Sequence, residues 1–421
     1  MSKIVYAPAF PAFGSHIPHC EPAWYQGFRS PYYRASHAAF RATVRAFVEQ
    51  EIKPNIDEWV ASPTGYPRAL HEKAYAAGIQ GVLYPTEWGG TRPADFDAFH
   101  ELVLWDELAR MGGGGVLGQM SINSMALPPV MQHGSQRLRD LVCRDVVTGK
   151  KNICLAISEP GAGSDVARIA CTAALSADGT HFVLNGQKKW ITGGTFADFF
   201  TIAVRTGGEG MGGISLLLME AGSPGISIRK MATQFDNSHS TTFIELDDVK
   251  VPFENLIGEQ GKGFKYIVHN FNHERFVISA ASCREARLCF EEAMAHALTR
   301  KTFGKRLIDH QLIRYKLAEM ARGIEATQDM VERVAYQFAS GVPHHELGAQ
   351  CALLKVQVSK TFEHCAREAS QIFGGSSIVR EGKGKVVERL YRCVRASAIP
   401  GGSEEILLDL AIREAVRKSK L

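Results

Sequence analysis

Apolar residues recur at helical spacing over residues 34–60, where Phe40, Val44, Phe47 and Val48 share one face. The same period predicts helices over 67–77, 96–111, 118–132 and 136–148, with the glycines at 112–115 as a break. The pattern changes at Ile153. Short apolar runs then alternate with Gly, Asp and Asn turns: 153–158, 169–176, 181–186, 188–192, 199–205, 214–219 and 241–251. Residues Ala177, Asp178, Gly179 and Thr180 read as a hairpin turn. After Gly263 the helical period returns over 264–302, 310–340, 346–373 and 404–418. Four long helices with short links suggest an antiparallel bundle. The pattern therefore predicts an α+β chain: an arm (1–33), a helical domain (34–152), a β domain (153–263) and a C-terminal bundle (264–421).

Composition narrows the function classes. The chain has 421 residues, and 48 basic against 44 acidic residues leave a net charge of +4. That balance argues against nucleic-acid binding and suits a small anionic substrate. Nine dispersed cysteines, none in a Cys-x-x-Cys pair, point to reduced thiols in an intracellular compartment. No apolar run approaches the ~18 residues that span a bilayer. Ser419, Lys420 and Leu421 form a peroxisomal address, which predicts a peroxisome or related microbody for a eukaryotic source. For a bacterial source the expectation is the cytoplasm.

Two motifs resemble sites and read better as structure. Gly208, Gly210 and Gly213 match G-x-G-x-x-G, but an apolar run follows them where a dinucleotide site needs a helix. They read as a hairpin loop. His269 and His273 lack the glutamate that a zinc helix places after its first histidine, so no metal is expected.

Four segments carry chemistry. Ser158, Gly161, Gly163 and Ser164 form a glycine-rich turn able to cradle phosphate oxygens. Trp190 and Thr192 offer an indole for a flat ring and a hydroxyl for a ring nitrogen. Arg300, Lys301, Phe303 and Lys305 form a cationic cluster suited to pyrophosphate. Gln371, Gly374 and Gly375 close a helix on paired glycines.

In this order and spacing, the four segments resemble the acyl-CoA dehydrogenase family over about residues 35–418. The resemblance implies an N-terminal helical domain, a β-barrel-like middle domain and a C-terminal four-helix bundle. It implies FAD held between the β domain and the bundle. Ser158, Gly163, Ser164, Trp190, Thr192 and Ser403 would contact the FAD, while Arg300, Phe303, Gln371 and Gly375 would reach that of a neighbouring subunit. A homo-oligomer follows, a tetramer or a dimer. Arg275, Ser164 and Arg168 would meet the acyl-CoA substrate.

The implied reaction removes the α-proton of a fatty acyl-CoA by a carboxylate while the β-hydrogen leaves as hydride to flavin N5, giving a trans-2-enoyl-CoA. Many family members carry that glutamate where this chain has Gly401. A subset, including long-chain and isovaleryl types, places it on another helix, in a motif that Asn272, His273, Glu274, Arg275 and Phe276 match. Glu274 is therefore the expected base, and the Gly401 N–H the expected donor to the thioester oxygen. Glu404 and Glu405 are rivals for the base. The acceptor would be an electron-transfer flavoprotein or oxygen. A related flavin monooxygenase and a non-catalytic flavoprotein are the competing readings.

Overall fold

The computed structural model describes residues 9–235 and 240–419. Lys420 and Leu421, on which the expected peroxisomal address falls, lie outside the described residues. The chain divides into two compact units, one of residues 55–94 and 115–274, the other of residues 1–54, 95–114 and 275–421.

Helices appear where the spacing predicts them, with shifted ends. They are α1 (Ala35–Phe47), α2 (Ile56–Ala61), α3 (Ala69–Ala76), α4 (Ala98–Ala109), α5 (Gly114–Ala126), α6 (Pro128–His133) and α7 (Gln136–Val147). The predicted helix over 118–132 is two helices, because Pro128 and Pro129 start a new one. An eight-stranded sheet follows: β1 (Ile153–Ala156), β2 (Thr172–Leu175), β3 (His181–Ile191), β4 (Phe199–Arg205), β5 (Ile214–Glu220), β6 (Ile226–Lys230), β7 (Thr242–Pro252) and β8 (Leu256–Ile257). Its order is β6-β7-β3-β2-β4-β5-β8, with β1 parallel to β4. Strands β4 and β5 are buried almost throughout. The predicted turn at 177–180 joins the antiparallel β2 and β3. The glycines at 208–213 lie between the antiparallel β4 and β5, so no dinucleotide fingerprint forms there.

In the second unit, α8 (Gly263–Thr299) continues from residue 275 alongside α9 (Gln311–Ala339), α10 (Gly348–Phe373), α11 (Lys385–Ala398) and α12 (Glu404–Ser419). Helix α11 is additional to the four helices predicted. Phe290, Met320, Ile324, Phe362, Ala366 and Leu390 share one core. Helix α10 packs against α9, α11 and α12.

The arm belongs to this unit, and its described part is well packed. Cys20, Glu21, Trp24, Tyr25 and Tyr33 are buried. Trp24 stacks on Tyr33 at 4.0 Å between ring centroids. Glu21 accepts from Arg284 at 2.8 Å and from Arg45 at 3.1 Å, and lies 3.2 Å from Arg110. Arg284 also donates to Asp106 at 2.5 Å. Burial alone would push the Glu21 carboxyl up, but Arg284, Arg110 and Arg45 outweigh it and hold the group at about 2.

Candidate active site

The turn after β1 is held by buried charge. Glu159 accepts from the Ala170 N–H at 2.6 Å, the Cys171 N–H at 3.0 Å and Lys188 Nζ at 2.7 Å. Lys188 also donates to the Ile157 carbonyl at 3.0 Å. Burial lowers the Lys188 amine below the ordinary lysine range, with Cys171 and Glu159 opposing the shift. Carboxylate and ammonium together fix a loop that has few apolar residues to pack. Above this anchor, Gly163 and Ser164 are exposed and Ser158 is half-buried. A Cβ added at Gly161 or Gly163 would meet nothing within 4 Å, so both glycines border open space. Arg168 is exposed and lies 3.6 Å from Asp165.

Strand β3 brings Trp190 to the same place. Its ladder with β7 shifts register between Lys189 and Ile191, so Trp190 drops out of the pairing. Its φ is 67°, a left-handed conformation that costs a bulky residue about 1–2 kcal/mol. The indole is 54% exposed. The neighbouring Lys189 N–H donates to the Ser158 carbonyl at 2.9 Å, tying the tryptophan to the glycine-rich turn. Thr192, half-buried, follows at the end of the strand. A strained, exposed indole beside an open glycine turn fits a flat ring with a phosphate-bearing tail.

Replacing Trp190 with glycine should leave stability within about 0.5 kcal/mol, because relief of the left-handed strain offsets glycine's extra chain entropy. The same change should weaken FAD binding about tenfold through the lost ring contact. Fluorescence titration of the apoprotein with FAD checks it, and an unchanged affinity would remove Trp190 from the site.

Glu274 lies on α8 and is buried, at 6% exposure. Asn270, one turn earlier, donates to its Oε1 at 3.0 Å and to the Met125 carbonyl at 3.3 Å. The next residue, Arg275, donates from Nε to the Gly401 carbonyl at 2.9 Å. Gly401 has φ 72°, and a Cβ there would come within 3.2 Å of Ile278 Cδ1. A glutamate at 401 would thus be strained in its backbone and crowded against α8. Ser403 is half-buried before α12. Of the rivals, Glu405 is exposed and Glu404 half-buried.

Arg300 follows α8, and a small hairpin pairs Lys301 and Thr302 with Lys305 and Arg306. Phe303 sits at its tip with φ 50° and 96% exposure. Gln371 and Gly375 are exposed where α10 ends. The structure describes each of these surfaces as open to solvent in the isolated chain.

Family models for the N-terminal, middle and C-terminal domains of acyl-CoA dehydrogenase match residues 34–150, 154–249 and 261–416. The chain belongs to the acyl-CoA dehydrogenase family. It is 38% identical to the acyl-CoA dehydrogenase apdG of Emericella nidulans, over 96% of this chain and 97% of that protein. It is 30% identical to the caffeyl-CoA reductase-Etf complex subunit CarC of Acetobacterium woodii, over 89% of this chain and 97% of that one. An acyl-CoA dehydrogenase of Bacillus anthracis, solved with FAD, superposes with a TM-score of 0.84 at 27% identity, over 92% of this chain and 68% of that one.

As an acyl-CoA dehydrogenase, the protein is a flavin-dependent oxidoreductase with FAD as its cofactor. No helix among the described residues is long and apolar enough to cross a membrane. His37, Asp97 and His100 bring three metal-capable atoms together. Those atoms already serve the start of α4, where Asp97 accepts from the Phe99 and His100 N–H groups and from Arg34 at 2.7 Å.

Sequence reasoning missed the buried lysines. Besides Lys188, Lys355 on α10 is fully buried, with Nζ bonded to the carbonyls of Ala398 and Gly402, the latter at 3.0 Å. Burial pushes this amine down to about 8; Glu404 opposes the shift, and Arg275 and Arg395 add to it. Nothing in the local pattern marks either lysine, since their partners are carbonyls and a carboxylate distant in sequence.

Proposed function

We propose that the protein catalyses α,β-dehydrogenation of a fatty acyl-CoA, with Glu274 as the base that takes the α-proton. The observation that carries this reading is the buried Glu274 carboxylate, braced by Asn270 and followed by an arginine that binds the Gly401 carbonyl. A base must be held within hydrogen-bond reach of the proton it removes, and the Asn270 bond limits the rotamers of Glu274. The left-handed backbone at Gly401 and the approach of Ile278 Cδ1 disfavour a carboxylate there, consistent with a base supplied from α8.

Removing a proton from carbon also requires stabilising the thioester oxygen as charge builds on it. The Gly401 N–H serves as that donor, worth about 3–4 kcal/mol in the transition state. FAD, when bound, supplies the two-electron acceptor. Ser158, Gly163, Ser164, Trp190, Thr192 and Ser403 would hold it, and Arg275, Ser164 and Arg168 would meet the acyl-CoA, the two arginines at its CoA moiety. Arg300, Phe303, Gln371 and Gly375 extend to the FAD of a second subunit in a homo-oligomer; the exposed Phe303 supports this, since a phenyl ring left in water gains from burial. An electron-transfer flavoprotein reoxidises the enzyme; similarity to a subunit of an Etf complex supports that partner.

Anaerobic mixing with straight and branched acyl-CoAs tests the reading. Bleaching of the oxidised flavin by one chain-length class is expected. No bleaching by any of them, with FAD bound, would discard it. Peroxide formed in each turnover would replace the flavoprotein partner with oxygen.

A further inference from the structure

The turn that follows Ala398, the last residue of α11, runs to Ser403 and contains two glycines with positive φ, 72° at Gly401 and 112° at Gly402. Such a turn has little conformational preference of its own. Three of its carbonyls are nevertheless held. Arg275 Nε takes the Gly401 carbonyl at 2.9 Å. Lys355 Nζ takes those of Ala398 and Gly402. The peptide that carries the Gly401 N–H lies between them in the chain, and the Pro400 ring restricts the dihedral just before it. An ammonium on a fully buried stem is a costly device for joining helices, since apolar packing would serve that end as well.

We propose that Lys355 is a positioning residue that aims the Gly401 N–H at the thioester oxygen by fixing the Ala398 and Gly402 carbonyls. The inference rests on the reading of Gly401 as the oxyanion donor. Lys355 touches neither substrate nor cofactor in this role. Releasing its two carbonyls frees the turn to rotate about the glycines, and a donor misplaced by about 1 Å forfeits much of its effect. The loss falls on the transition state and leaves ground-state binding of the acyl-CoA alone.

The test uses the full-length, FAD-loaded enzyme with Lys355→Met, which keeps the stem and removes the donors. Anaerobic flavin bleaching is expected to slow about 30-fold with substrate affinity within about twofold of wild type. A second readout is an acyl-CoA analogue with sulfur in place of the β-carbon. It can lose its α-proton but has no β-hydrogen to give up. Its ionisation on the enzyme, followed by the long-wavelength absorbance it forms with oxidised flavin, should need a pH about 1.5 units higher in the variant, the same 30-fold. Lys355→Gln retains an N–H donor and should recover part of both effects; it also serves where the Met variant does not load FAD. A bleaching rate within twofold of wild type overturns the role of Lys355. So does a slow rate with the ionisation of the analogue unmoved in the loaded fraction, which assigns the lysine to folding alone. Wild-type enzyme that no acyl-CoA bleaches removes the parent reading instead.

Discussion

Glu274→Gln is expected to slow flavin bleaching by the best acyl-CoA about a thousandfold, within the range for losing a positioned general base. The amide matches the carboxylate in shape, and its oxygen can still accept from Asn270 Nδ2, now 3.0 Å from Glu274 Oε1. Packing on α8 should therefore survive, as should FAD content and substrate affinity. The variant loses the capacity to take a proton. Stopped-flow absorbance under anaerobic conditions separates these quantities. A rate within tenfold of wild type would move the base elsewhere, and Glu404 is the next residue to change. Moving the carboxylate back, with Gly401→Glu added to Glu274→Gln, should not restore the rate. The left-handed backbone and Ile278 Cδ1 at 3.2 Å oppose any side chain there.

Glu21→Gln should cost about 3–5 kcal/mol of stability, because it takes one carboxylate away from a buried cluster of guanidinium groups. Among the described residues, the fully buried Arg284 then relies on Asp106, Arg45 on Glu107 and Arg110 on Glu291. The pH dependence gives an independent measure. The Glu21 carboxyl is held at about 2 against an ordinary 4.5. A depressed carboxyl stabilises the fold in full above its unfolded value. That contribution, about 3 kcal/mol, is lost as pH falls from 4.5 towards 2. The variant should therefore unfold at lower urea at neutral pH, with the gap to wild type closing through that acid window. A gap below 1 kcal/mol, or one that does not change with pH, would show that the arm is held by its aromatic packing instead.

The candidate site residues could be named from sequence because their signals are local. A glycine-rich turn after an apolar run, an indole followed by Thr and paired glycines, and a Glu-Arg pair on a long helix are each complete within a few residues. The same locality exposed the glycines at 208–213 as a hairpin loop. What could not be read was how these pieces are held. Strand β3 read as two strands, since Asn185, Gly186 and Gln187 interrupt its apolar run where the ladder with β7 also shifts register, between Leu184 and Gly186. Helix α11 was overlooked because three arginines, a glutamate and a lysine interrupt its apolar positions, although Val387, Leu390, Cys393, Val394 and Ala398 are buried.

Periodicity and short motifs act over one or two turns, so the order of helical, β and helical segments, the family and the chemistry to expect were readable along the chain. The latching of the arm through Glu21 and the burial of Lys188 and Lys355 as anchors emerge once the chain is folded. A charged residue looks the same in sequence whether water or a distant partner satisfies it. Arg284 lies 263 residues from Glu21, and Lys355 47 from Gly402. Such a pair forms only once hydrophobic burial has brought its elements together, and it then costs several kcal/mol to break.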